Sequence, residues 1–290
     1  YSAQKRVALV IGNGAYKEGP LRNPVNDART LKNVLSRAGF KVTLLENGNK
    51  RQMLEAVKDF GRKLRKSDAA LFYFAGHGVQ YMDHNWIFPI GADIGREQDV
   101  EFETVNVQRI LREMEGGTKK RVNIVIIDAC RKTPTFRGYR SASRGLSAPK
   151  VQPEGSIIAF STAPGTIAYD GDGRNSPYVT ELKKHILTPG LKIEDVFKRT
   201  RIGVKNHTAR KPSPQIPWEN SSLMGDFYFM FGNQTQTSSE SVTSYNEPAG
   251  SQYEGQLTEN VKFSAVVDPK TGWTWQDAPD GVRRNYKEAY

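Results

Sequence analysis

One cysteine in 290 residues excludes an internal disulfide and any zinc site built from cysteines. Its scarcity leaves the compartment open, because a lone reactive thiol works in oxidising and reducing surroundings alike. No apolar stretch approaches the ~18 residues that a membrane-spanning helix needs, so no membrane span is expected. There is no internal repeat, and there are four histidines. Acidic residues are missing between Cys130 and Glu154, where six basic ones stand. The chain opens on Tyr1 rather than Met. A removed leader and a shorter piece of a longer protein fit that equally, and the expectation leans toward an exported bacterial protein, periplasmic or secreted, over a cytoplasmic one.

What is present describes an ordinary globular chain, 37% hydrophobic and 25% charged, long enough for one large α/β domain plus extras. The net charge is +11, although residues 232–290 hold eight acidic residues against five basic ones. A basic body raises nucleic-acid binding as a class. The positive residues, however, are scattered over helix faces or gathered in 131–150. No Cys/His finger, RNA-recognition signature or aromatic–basic strip accompanies them, so a solvated basic surface is expected, and no nucleic-acid partner.

Apolar runs alternate with helical patterns. Strands are expected at 6–12, 41–47, 69–76, 121–128, 154–162 and 226–232, and helices at 23–40, 49–67, 176–188 and 193–207. Continuous apolar strands separated by helices predict a mostly parallel sheet of about six strands, covered by helices on both faces. Sites in such sheets form at the carboxyl ends of strands. Residues 131–153, rich in Arg, Ser, Gly and Pro, read as a long exposed loop. Residues 232–253 read as a polar linker, and 254–290, with few aliphatics, as an extension that is disordered or docked on the body. Arg283-Arg284 there reads as a pseudo-substrate, a second cleavage site or plain linker.

Two strand ends carry chemistry. "FYFAGHG" places His77 between two glycines, and "VIIDACR" places Cys130 between Ala129 and Arg131. In a parallel sheet both ends share one edge. A thiol needs a nearby base to become a nucleophilic thiolate, and a histidine on a neighbouring strand end supplies one. The glycines allow close backbone approach and leave the Gly78 N–H free for an oxyanion. Taken singly, Cys130 reads as a small buried hydrophobe and His77 as a weak signal; the pair tips the reading toward catalysis. His84, His185 and His207 lack such a setting and read as surface residues.

"YFAGHG", "IIDACR", "FSTAPGTIAYDGDGRNSPY" and "ALVIGNGAY…LRNPVNDA" resemble, in that family's order, the caspase-like cysteine peptidases, most closely the bacterial members grouped with metacaspases and orthocaspases. The likeness covers roughly residues 5–231. It implies a caspase-like fold over 1–231, with a large segment (1–130), a processing loop (131–153) and a small segment (154–231). It implies Cys130 as nucleophile, His77 as general acid/base, and the N–H groups of Gly78 and Cys130 as oxyanion hole. Caspases bind an aspartate before the cut bond (P1) through a Gln two residues before the Cys and an Arg after "STxPG". Here those positions are Asp128 and Asp170, and Asp27 matches a further pocket acid of metacaspases. Three acids repel a P1 Asp and attract a P1 Arg or Lys. The plain readings are a helix-start acid for Asp27, a strand-end turn residue for Asp128 and a loop-turn residue for Asp172.

An enzyme that cuts after Arg can cut its own exposed loop, and Arg137, Arg140 and Arg144 are the candidate self-cleavage sites, with Lys132 and Lys150 weaker. The expected partners are protein or peptide substrates with a basic P1, and the expected state is a monomeric zymogen. No metal or cofactor is expected. Calcium, which many metacaspases need, has candidate ligands that include Asp93, Asp99, Glu101 and Glu103, but they lack EF-hand spacing, and calcium dependence is not the expectation. The alternative function is a caspase-fold regulatory or scaffold protein without turnover.

Overall fold

The apolar runs become strands because helices cover both of their faces. In the computed structural model, residues 4–115, 121–130, 146, 154–163, 166 and 168–232 are described, together with the backbones of 265–267, 274–277 and 283–286; for Cys130 the description covers the main chain alone. Strand β1 (Arg6–Gly12) is buried along its whole length. It is followed by α1 (Pro24–Arg37), β2 (Phe40–Glu46) and α2 (Lys50–Lys63). Pro24 presets the first turn of α1, and Gly39 at φ 82° reverses the chain after it. Helix α2 opens with a capping box between Asn49 and Gln52.

Strand β3 (Ala69–Tyr81) turns back as β4 (His84–Ile87), and short α3 (Asp99–Glu103), β5 (Val105–Asn106) and α4 (Val107–Glu115) follow. Then come β6 (Val122–Cys130), β7 (Ser156–Phe160), α5 (Pro177–Ile186), α6 (Ile193–His207) and β8 (Trp218–Ser221). The main path of the sheet runs β2-β1-β3-β6-β7-β8. Its pairings are parallel except for the last, β7 with β8.

Alternation along the strands divides the core. Leu71, Tyr73, Ile124 and Ile126 pack toward α1, α5 and α6, while Phe72, Phe74, Val125 and Ile127 pack toward α2 and α4. This is the α/β architecture that the sequence predicts.

The expected strand at 226–232 is not one. Phe227 and Phe229 are buried as strand residues would be, but the carbonyls of this segment go elsewhere. Arg6 donates to Phe229 O at 2.6 Å and to Tyr228 O at 2.9 Å, and Ile193 and Gly190 donate to Phe227 O and Met230 O. The edge strand is instead Trp218–Ser221, whose "WENS" carries little strand signal. The Arg6 guanidinium lies 5.1–5.7 Å from the rings of Phe40, Phe227 and Phe231, and it also donates to Ala38 O. Arg6→Ala would orphan three carbonyls at once. It is expected to lower the unfolding free energy by on the order of 3 kcal/mol, read by chemical denaturation; a change within error would refute this anchoring role.

Residues Tyr1–Gln236 and Thr237–Tyr290 are separate compact units. In the second, where the sequence reading placed no strand, β9 (Ala265–Val267), β10 (Thr274–Asp277) and β11 (Arg283–Tyr286) pair antiparallel. The dibasic Arg283-Arg284 lies in β11, opposite Asp277 and Gln276.

Candidate active site

Strand β3 changes partners at His77. Up to that residue it runs parallel to β6, and the last rung pairs His77 with Cys130. From Gly78 onward it pairs antiparallel with β4. On its other side β1 stops at Gly12, opposite Ala75. The glycines flanking His77 stand where neighbours approach closely, Gly76 more so than Gly78. A Cβ on Gly76 would fall 2.5 Å from the Tyr16 hydroxyl, and one on Gly78 would fall 3.0 Å from Ala129 Cβ and 3.4 Å from Leu146 Cδ2. Gly78 thus sits against the strand that ends in Cys130.

The imidazole of His77 is only 3% exposed. Its Nε2 lies 2.6 Å from the carbonyl oxygen of Gly19. A carbonyl only accepts, so Nε2 carries the proton and Nδ1 holds the lone pair. Nδ1 is buried and has no hydrogen-bond partner among the described residues. Desolvation lowers the pKa, while the Gly19 carbonyl and the negative charge of Asp170 act against it. The result is a neutral imidazole whose Nδ1 has no hydrogen-bond partner among the described residues.

The three acids come from three elements. Asp27 lies in the first turn of α1, Asp128 near the end of β6, and Asp170 in the segment before α5. Ser176, the N-cap of α5, joins two of them. Its N–H donates to Asp27 Oδ1 at 3.0 Å and its hydroxyl to Asp128 Oδ2 at 2.9 Å. That hydroxyl also accepts the Val179 N–H, so its single proton is committed to Asp128. Asn175 donates to Asp27 Oδ1 at 2.8 Å, and Tyr73 to Asp128 at 3.4 Å.

Both carboxyls are nevertheless pushed upward. Burial and then the charge of Asp128 raise Asp27 to about 8, against the donors Asn175 and Ser176. Burial raises Asp128 to about 6, with Asp170 adding to the rise; Ser161, Ser176 and Tyr73 oppose it. Among the described residues the buried Ser161 hydroxyl has no partner at hydrogen-bond geometry. Asp170 is half-buried and accepts the N–H groups of Arg22 at 2.7 Å and Asn23 at 3.1 Å at the start of α1, where backbone donors and the helix dipole favour an anion. Its charge reaches both His77 and Asp128, so the acids and the imidazole occupy one neighbourhood.

Asp172 is not among them: it is exposed and pairs with Lys211 at 3.3 Å. Asp99 is used locally, accepting the N–H groups of Gly95 and Arg96. Among the described residues no group of three His, Cys, Asp or Glu could hold a metal ion. No helix among them is long and apolar enough to cross a membrane. The Cys130 thiol and the loop arginines Arg137, Arg140 and Arg144 lie outside the described residues. The sequence reading missed Tyr16, Gly19, Tyr73, Ser161, Asn175 and Ser176. Only Ser176 had a local signal, a Ser-Pro helix start, which says nothing of the two acids its side chain and backbone serve.

A mostly parallel sheet with these strand ends is an α/β fold of the caspase type. The sequence matches the Caspase domain family across residues 5–228, and the chain belongs to that family, a family of cysteine peptidases. It is 30% identical to the Homo sapiens mucosa-associated lymphoid tissue lymphoma translocation protein 1 over 169 residues, 58% of this chain and 20% of that one. It is 22% identical to Mus musculus caspase-1 over 252 residues, 80% of this chain and 61% of that one. The chain thus matches only a portion of each relative's length.

Proposed function

We propose that the chain is a cysteine endopeptidase that cuts after Arg or Lys and processes itself within 131–153, at Arg137, Arg140 or Arg144. Asp27, Asp128 and Asp170 hold the P1 cation. The Cys130 thiol gives its proton to His77 Nδ1 and the thiolate attacks the P1 carbonyl carbon. The N–H groups of Gly78 and Cys130 stabilise the oxyanion. His77 returns the proton to the leaving amine as the C–N bond breaks, then takes one from the water that hydrolyses the thioester. No metal enters these steps, and turnover is expected without calcium. The joining of Asp27 and Asp128 by one serine, with Asp170 close enough for its charge to act on both Asp128 and the neutral buried imidazole, carries this reading. Burying carboxyls against their own pKa costs stability, and a cationic side chain entering the pocket offsets that cost.

The test uses matched peptides with P1 Arg, Lys, Asp and Asn, with and without calcium, for wild type and Cys130→Ala. Turnover after Arg and Lys alone, with nicking of wild type alone at 131–153 by mass spectrometry, is the expected result. Cleavage after Asp would sink the acidic pocket. An inert but folded wild type would favour a scaffold.

A further inference from the structure

Where β1 ends, β3 has a backbone donor left over. The parallel ladder between them closes with Asn13 N–H donating to Ala75 O at 2.9 Å. The next N–H of β3 on that side belongs to His77, and no strand residue receives it. The Tyr16 hydroxyl does, at 3.1 Å. The same hydroxyl donates to Phe88 O at 3.1 Å, and Phe88 N–H donates to His77 O at 3.0 Å. One phenol oxygen therefore ties the main chain of His77 to the main chain after β4. The Tyr16 ring lies on the imidazole, centroids 4.5 Å apart and tilted by 45°. Three residues further along the same loop, Gly19 O receives His77 Nε2.

We propose that Tyr16 is a positioning residue for His77: its hydroxyl stands in for the missing strand partner, and its ring fixes the plane in which Nδ1 points. This rests on the reading of His77 as the base for Cys130. The hydroxyl constrains the main chain on either side of Cα, the ring blocks rotation of the imidazole about its bond to Cβ, and Gly19 O fixes its far nitrogen. With all three in place the imidazole has one orientation. Gly76 belongs to the device, because any larger residue there would displace the phenol oxygen.

The test is Tyr16→Phe, which keeps the ring and removes the oxygen. The chain has one thiol, so iodoacetamide alkylation reports Cys130 thiolate formation whatever the substrate specificity. In Tyr16→Phe the alkylation rate at pH 7 should fall by on the order of 10-fold and its pH midpoint should rise, toward the profile of His77→Ala. For a P1 Arg peptide, kcat should fall by a similar factor with KM within about twofold, while the thermal midpoint stays above the assay temperature. A folded Tyr16→Phe with wild-type alkylation and kcat would overturn the proposal. So would a loss fully accounted for by the unfolded fraction, which would make Tyr16 merely structural.

Should Tyr16→Phe not fold, 3-fluorotyrosine at position 16 keeps the shape and weakens the hydroxyl as an acceptor. It should give a smaller loss of the same kind, and an unchanged profile would again overturn the role. If wild type cleaves no basic peptide, the alkylation arm still decides.

Discussion

His77→Ala is expected to lower kcat/KM for a P1 Arg peptide by about 10²–10⁴-fold, and Cys130→Ala to bring it to background. The two losses differ in kind. Without Cys130 no thioester forms. Without His77 the thiol must ionise by itself, with a reference pKa of ~8.5, so residual activity should climb with pH yet stay below wild type, because nothing then protonates the leaving amine or activates the water. With the pocket saturated by peptide, the wild-type single-turnover rate should show no such climb at neutral pH, because burial holds His77 below its ordinary pKa and leaves it neutral there. A single-turnover assay across pH 6–9.5 checks this. A His77→Ala enzyme with the wild-type pH profile would mean that another group activates the thiol. The main-chain rung places His77 beside Cys130, and this experiment bears directly on the dyad.

The two strand ends were legible because "AGHG" and "DACR" each terminate an apolar run, and parallel strands share a carboxyl edge. The rung that pairs residues 77 and 130 was not, since register depends on where β3 and β6 begin. Asp27 read as an acid in a first helical turn. Its burial comes from α5, whose start lies 149 residues away. Tyr16 and Gly19 reach His77 over 61 and 58 residues, and no local pattern encodes such contacts. The misread strand at 226–232 has the same origin. Alternating aromatics announce an extended segment with one buried face, but whether its carbonyls meet a neighbouring strand or a guanidinium depends on Arg6, at the other end of the domain. Sequence periodicity reports which face is buried and leaves open who receives the hydrogen bonds.

Asp27→Asn is expected to trade function for stability, in a way that depends on pH. The Asp27 and Asp128 carboxyls ionise near ~4 in an unfolded chain and at about 8 and about 6 in the folded one. As a coupled pair they titrate in two shared steps. Their folded pKa values are raised, so their burial costs nothing below pH ~4, and stability falls as the pH rises through about 6 and about 8. Asparagine keeps an acceptor for Asn175 and Ser176 and drops the charge. Its thermal midpoint should match wild type at pH 4 and exceed it at pH 8.5, by ~2–4 °C for each kcal/mol relieved. Turnover of a P1 Arg peptide should move the other way. Removing one carboxylate from a desolvated charge cluster is expected to cut kcat/KM at pH 8 at least about 30-fold, chiefly through KM. The same logic shapes the wild-type profile. A P1 cation binds the ionised pocket, so its entry releases protons, and kcat/KM for Arg peptides should rise from pH 5.5 to 8.5 while alkylation of Cys130 follows a separate curve. Calorimetry across pH together with steady-state kinetics tests both halves. An Asp27→Asn variant that is less stable than wild type at pH 8.5, yet cleaves after Arg at the wild-type rate, would make Asp27 a structural acid and remove it from the pocket.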